Sequence, residues 1–275
     1  MSPTLQIGPL ALPLTPLLFL GAAALGLFAG KRIGARSGID AEPAILGLLV
    51  IGLLAARAGF VWEWRGAYLR HPLDILDLRD GGYEPAFGVA AACLYALRRV
   101  QRQRALRNPL AAAALTILVA WGGGMLAIGT FPAGVTTLPP LSLHTIDERE
   151  ISLSAFAGRP AVVNLWASWC PPCRREMPVL ERAQAASPDI DFVFINQGET
   201  RERVLAYLQD QGLGLRNVLL DRTRAAGTAF DREALPATLF FDARGRLVSA
   251  RTGALSEATL AAGLAALRGA KGALR

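Results

Sequence analysis

Cys170-Pro171-Pro172-Cys173 is the set of side chains in this 275-residue chain whose types and spacing are best suited to chemistry. Two thiols one helical turn apart can trade a pair of electrons with a disulfide. The attacking species is the thiolate, which is favoured at a helix N-terminus by unpaired backbone N–H groups and the positive end of the helix dipole. The local pattern predicts that setting. A continuous apolar run over 161–167 reads as a buried strand, and a helix is expected over 171–186. Pro171 suits the first helical position, where its missing N–H leaves no intrahelical bond unmade. Cys170 is therefore the expected nucleophile. Cys173 is expected to resolve the mixed disulfide, with a Cys170–Cys173 disulfide as the oxidised state.

Metal ligation and a purely structural pair are the competing readings of the motif. A zinc site takes four ligands. The chain has only three cysteines and two histidines: Cys93 lies in a distant apolar run, and His71 and His144 fall in different halves. Three cysteines are also too few for a disulfide-stapled scaffold. No metal and no organic cofactor is expected.

Hydrophobic residues make up 52% of the chain and the mean hydropathy is +0.34, which points to membrane segments. Apolar runs predict four spans, over 7–30, 43–64, 83–99 and 109–131, within a membrane domain over 1–131. The first span is followed, not preceded, by Lys31, Arg32 and Arg36, so it reads as an uncleaved span and not a signal peptide. The net charge of +7 is concentrated at Arg98, Arg99, Arg102, Arg104 and Arg107. Beside apolar segments this block reads as a cytoplasmic topology signal and not a nucleic-acid surface, so no nucleic-acid partner is expected. Four spans put both basic clusters in the cytoplasm and everything after residue 131 outside, on the periplasmic face of a bacterial-type inner membrane. Arg57 is expected to snorkel from the outer end of its span to the headgroups. His71 is expected in a solvated loop, and Cys93 as a small buried hydrophobe.

Prolines and small residues over 132–140 predict a semi-stiff linker. The second domain, 141–275, alternates strands and helices. Strands are expected at 142–144, 150–153, 161–167, 191–196, 216–220, 237–242 and 246–251, and helices at 171–186, 199–210, 222–230 and 256–267. Such alternation implies central parallel pairing with antiparallel strands added at the edges.

The run V-V-N-L-W-A-S-W-C-P-P-C-R-R-E-M-P over 162–178 resembles the thioredoxin superfamily, nearest its membrane-tethered TlpA-like branch, and the likeness extends over 138–269. Leu235-Pro236-Ala237-Thr238 resembles that family's cis-proline loop. The resemblance implies a thioredoxin-like α/β fold behind an α-helical membrane domain, with Pro236 cis and facing the cysteines. It also implies that Trp169, Leu235, Pro236 and Thr238 help bind an extended substrate segment. For Trp169, simple core packing is the alternative. Asn164 holds a place where many thioredoxins carry a buried aspartate. Glu176 matches a glutamate of the branch, and either accepts a proton from Cys173 and tunes it, or is a first-turn acid stabilising the helix dipole.

In the N-terminal half, A-A-R-A-G-F-V-W over 55–62 and L-R-H-P-L-D-I-L-D-L-R-D-G-G-Y over 69–83 resemble the front part of prolipoprotein diacylglyceryl transferases, roughly over 7–107. That family's histidine-glycine-glycine motif is replaced here by Tyr83-Glu84-Pro85-Ala86-Phe87-Gly88. Lipid transfer is therefore not expected, and the domain reads as an anchor in the lipid bilayer. The expected activity is that of a membrane-tethered thiol–disulfide oxidoreductase reducing disulfides of exported proteins. With no second dithiol in the chain, a membrane electron donor must re-reduce it. The alternatives are a periplasmic oxidase or isomerase, and a lipid-binding or interaction protein with a regulatory redox domain.

Overall fold

The uncharged N-terminal stretch does not form one helix. In the computed structural model, which describes residues 4–7, 10–69, 72–77, 81–130 and 137–272, it divides at Pro13. Strands β1 (Thr4–Ile7) and β2 (Leu10–Pro13) pair antiparallel, and helix α1 (Leu14–Arg36) follows. A helix begun at residue 7 would hold Pro13 and Pro16 in its interior, where each removes a hydrogen bond and clashes with the preceding turn. Started at Leu14, the helix keeps Pro16 in its first turn, where the missing N–H has no partner to lose. At its other end α1 runs past residue 30 through the basic cluster, and Lys31 pairs with Glu42.

The chain divides into two compact units, Ser2–Arg70 with Gly81–Pro132, and Ala133–Arg275 with His71–Asp80. In the first, α1 is followed by α2 (Glu42–Glu63), the short α3 (Arg65–Tyr68), α4 (Pro85–Arg102) and α5 (Arg107–Thr130). Ala22, Gly26, Gly30 and Gly34 recur every fourth residue as the buried face of α1. A Cβ at Gly30 would collide with Ile45 of α2 and crowd Ala113 of α5, so the backbones approach more closely than any side chain allows. Helices α2 and α4 run antiparallel, with Gly52 against Gly88, Gly47 against Tyr95 and Gly59 against Phe87.

Among the described residues, three helices, Leu14–Arg36, Glu42–Glu63 and Arg104–Ile128, are long and apolar enough to cross a membrane. The span expected over 83–99 is helical as α4 but is not among them. Its apolar part, 85–97, covers only about 20 Å of a hydrocarbon core about 30 Å thick before Arg98 and Arg99. Arg57 does not snorkel outward. It is buried, with Nη1 donating to the Gly82 carbonyl at 2.9 Å and its guanidinium over the rings of Tyr68 and Tyr83. Carbonyl and aromatic faces there replace the headgroups as partners for the charge. Cys93 is exposed on the surface of α4, not buried. His71 and residues 132–136 of the linker lie outside the described residues.

The second unit is built on a seven-stranded sheet. Its elements are β3 (Ser142–Thr145), β4 (Glu150–Ser152), β5 (Ala161–Trp166), α6 (Pro171–Ala186), β6 (Asp191–Gln197), α7 (Arg201–Asp210), β7 (Val218–Asp221), α8 (Ala225–Ala229), β8 (Ala237–Phe241), β9 (Leu247–Thr252) and α9 (Glu257–Gly272). The strand order is β4-β3-β7-β6-β5-β8-β9, with β5, β6 and β7 parallel and the outer strands antiparallel. All six residues of β5 are buried, as expected of a strand covered on both faces. Strand alternation then sorts the core. Val162 and Trp166 pack with Phe192, Phe194, Met177 and Leu264, while Val163 and Leu165 pack with Val193, Ile195, Phe230 and Phe241. The latter half of the expected linker belongs to this unit. Thr137 bridges to Arg246, and the Leu138 N–H donates to the Gly245 carbonyl at 2.8 Å.

Candidate active site

Strand β5 ends at Trp166, and four residues later Cys170 caps α6 with extended backbone. The Cys170 Sγ accepts the backbone N–H of Cys173 at 3.3 Å, and the Arg174 N–H donates to the Cys170 carbonyl at 3.1 Å. The cysteines are disulfide-bonded with their Cα atoms 5.3 Å apart. Pro171 begins the helix and supplies no competing N–H, so the Cys173 amide is left to meet the sulfur. Cys173 is wholly buried. Trp169, immediately before the motif, is 52% exposed, which removes the core-packing reading for it. Trp166 takes that core place, against Tyr207 at 5.4 Å between ring centroids.

The Leu235–Pro236 peptide is cis. Strand β8 pairs antiparallel with β5 so that Ala237 lies opposite Leu165. That register sets Pro236 just beyond the end of β5 from which the chain leads to Cys170. Neither the N–H nor the carbonyl of Leu235 makes a backbone hydrogen bond among the described residues. Thr238 does not reach the surface. Two strand positions on, it is fully buried opposite Asn164, and its Oγ1 accepts from Asn164 Nδ2 at 3.0 Å. Its side chain is occupied in the core and does not face a substrate.

Glu176 is also buried, so it is not an exposed first-turn acid. Its Oε1 accepts from Asn164 Nδ2 at 2.8 Å and its Oε2 from the Leu255 N–H at 2.8 Å. Burial pushes the carboxyl up from 4.5 to about 7, against the Leu255 and Asn164 donors, which pull it down. The folded value lies above the unfolded one. Protonated Glu176 therefore stabilises the fold fully below the unfolded value, and this contribution is lost as pH rises through about 7. The loss is on the order of 3 kcal/mol. Hydrogen exchange of the β5 amides, corrected for intrinsic rate, is expected to show wild-type protection falling between about pH 5 and about pH 8 while Glu176→Gln stays flat. Parallel profiles would refute the assignment.

The structure adds a residue that sequence reasoning missed. Glu199 is buried where the loop after β6 meets the loop before Cys170. It accepts from the Ser168 N–H at 2.7 Å, Ser168 Oγ at 2.5 Å and Asn196 Nδ2 at 2.7 Å, and pairs with Arg203 Nε at 3.0 Å. One carboxylate thus fixes the backbone two residues before the nucleophile. The sequence pattern makes Glu199 the first residue of a helix, which in fact begins at Arg201, and what the carboxylate meets depends on the pairing of β5 with β6. Among the described residues, no group of three or more His, Cys, Asp or Glu is gathered as for a metal ion.

The Redoxin family model matches residues 132–264. The C-terminal half is a redoxin domain. This redoxin domain is homologous to ResA- and DsbE-type thiol–disulfide oxidoreductases. It is 28% identical over 124 residues to thiol-disulfide oxidoreductase ResA of Bacillus subtilis, covering 44% of this chain and 69% of that protein. It is 32% identical over 117 residues to thiol:disulfide interchange protein DsbE of Allochromatium vinosum, covering 42% of this chain and 64% of that protein. Among solved structures, a secreted Mycobacterium tuberculosis disulfide oxidoreductase homologous to E. coli DsbE is 26% identical, with a TM-score of 0.43 over 46% of this chain and 96% of that one.

Proposed function

We propose that this chain is a membrane-tethered thiol–disulfide oxidoreductase that reduces disulfides of exported proteins. The observation that carries the reading is Cys170 Sγ at the tip of α6, accepting the Cys173 N–H. In the dithiol form the same N–H and the helix dipole favour the Cys170 thiolate. That thiolate attacks one sulfur of a substrate disulfide, and the other substrate sulfur leaves with the electron pair and takes up a proton. Cys173 then gives up its proton, with ionised Glu176 as the acceptor, and attacks Cys170 Sγ. The substrate's second thiol is released and the Cys170–Cys173 disulfide re-forms. The substrate has gained two electrons and two protons, and a dithiol donor in the membrane restores them. Half-exposed Trp169 and the unpaired backbone of Leu235 beside cis-Pro236 form the surface for an extended substrate segment.

The N-terminal unit serves as a four-span anchor. Antiparallel packing of α4 along α2 supports counting it as a span. Lys31, Arg32 and Arg36 end α1, Arg98, Arg99 and Arg102 end α4, and Arg107 begins α5. With four antiparallel helices these all fall on one side, and the positive-inside rule makes that side cytoplasmic. The redoxin domain, which follows the other end of α5, is then outside. The unit resembles a diacylglyceryl transferase front without its catalytic histidine, and lipid transfer is not part of the reading.

Cys173→Ser expressed in intact membranes is the test. Exported proteins are expected to accumulate on Cys170 as adducts released by dithiothreitol, and a Cys170→Ser, Cys173→Ser chain is expected to hold none. Adducts with cytosolic proteins alone, or no adducts, would overturn the reading.

A further inference from the structure

Asn164 Oδ1 is buried and meets no donor. The amide's orientation is set at its other end, where Nδ2 donates to both Glu176 Oε1 and Thr238 Oγ1. With Glu176 ionised, a flipped amide would turn Oδ1 against the carboxylate oxygen. The unmet acceptor therefore belongs to this arrangement, and a buried carbonyl without a donor destabilises the fold that holds it. Asn164 lies on the face of β5 that α6 covers, because its side chain bonds to Glu176 of that helix. Cys173 lies one turn before Glu176 on the same helix and is equally buried. In the disulfide form Cys173 has no proton to give. Reduction by an external dithiol breaks the Sγ–Sγ bond, oxidises the donor to its own disulfide and leaves Cys173 as a thiol. That S–H is a new donor in the layer where the acceptor is unmet.

We propose that Asn164 is a positioning residue for Cys173, its Oδ1 accepting the Cys173 S–H in the dithiol state. The inference rests on Cys170 and Cys173 being the redox pair. The dithiol state gains a hydrogen bond that the disulfide state lacks, so Asn164 shifts the equilibrium toward the dithiol. It also holds Cys173 as the thiol while Cys170 waits for substrate.

The full chain in detergent provides the test. Asn164→Ala is expected to lower the equilibrium constant for reduction of the Cys170–Cys173 disulfide by dithiothreitol about three- to tenfold, the yield of one buried hydrogen bond. A purely structural role would weaken both states alike and leave that constant unchanged, which would overturn the proposal. A second measurement needs no change at Asn164. In a Cys93→Ser, Cys170→Ser chain the sole thiol is Cys173, and its infrared S–H stretch is expected below that of an exposed thiol. Adding Asn164→Ala is expected to raise it, whereas adding Glu176→Gln is expected to leave it in place. A free-thiol frequency with Asn164 intact would refute the bond. Lack of insulin reduction by the wild-type chain, with the stretch still lowered, would refute the proposed function and leave this inference standing.

Discussion

Cys170→Ser is expected to reduce insulin disulfides no faster than buffer thiols alone, with the fold retained. Serine is a favoured N-cap and its Oγ can accept the Cys173 N–H as the sulfur does. The helix therefore keeps its first turn while the chain loses the only sulfur at its tip. Cys173 is the poorer nucleophile, because it is wholly buried inside the helix, whereas Cys170 at the tip keeps 3% exposure. Cys173→Ser differs in kind: one attack proceeds, the mixed disulfide persists and turnover stops. Insulin turnover measured beside thiol-labelled adduct formation separates the two variants. Substantial activity in Cys170→Ser would exclude the mechanism.

Glu199→Ala is expected to have the largest effect on stability near the site. Removing the carboxylate leaves the Ser168 N–H, the Ser168 hydroxyl and the Asn196 amide without their buried acceptor and releases Arg203. Breaking a buried charged network from one side costs about 3–5 kcal/mol. The Ser168 amide, hydrogen-bonded directly to the lost group, is expected to exchange at least about a hundredfold faster. Disulfide exchange should slow as well, since the segment 167–169 no longer holds the nucleophile in register. Glu199→Gln keeps one acceptor oxygen but turns an amide NH2 toward the other donors, and it should fall between. An unchanged Ser168 exchange rate would show that the loop does not depend on this residue.

The elements of the redoxin domain were legible because each carries its own punctuation. Helix α6 runs from Pro171 to Ala186 as expected, since a proline after a capping cysteine marks a start that packing does not alter. Strand β5 was readable because six consecutive buried residues leave few alternatives. The start of α1 was not, because an uncharged apolar run has the same composition as strand or as helix, and only Pro13 and Pro16 mark where one gives way to the other. Trp169 and Trp166 could not be told apart in advance, as exposure depends on which faces the sheet covers. The network around Glu199 was invisible for a related reason. Residues 168, 196, 199 and 203 become neighbours only when β6 is laid beside β5.

The buried amide of Asn164, with Glu176, Thr238 and the Leu255 N–H, ties together a central strand, the cysteine helix, the strand after the cis proline and the loop entering the last helix. Residue 255 contributes only its backbone N–H, which any residue but proline supplies, whereas the side chains at 164, 176 and 238 cannot drift independently during evolution. An apolar residue at 164 strands the carboxyl, and loss of the carboxyl strands the amide of residue 255. Related sequences that have left this arrangement must have changed more than one of these three side chains together, and homologues should divide into sets that keep the whole knot and sets that have exchanged it for another.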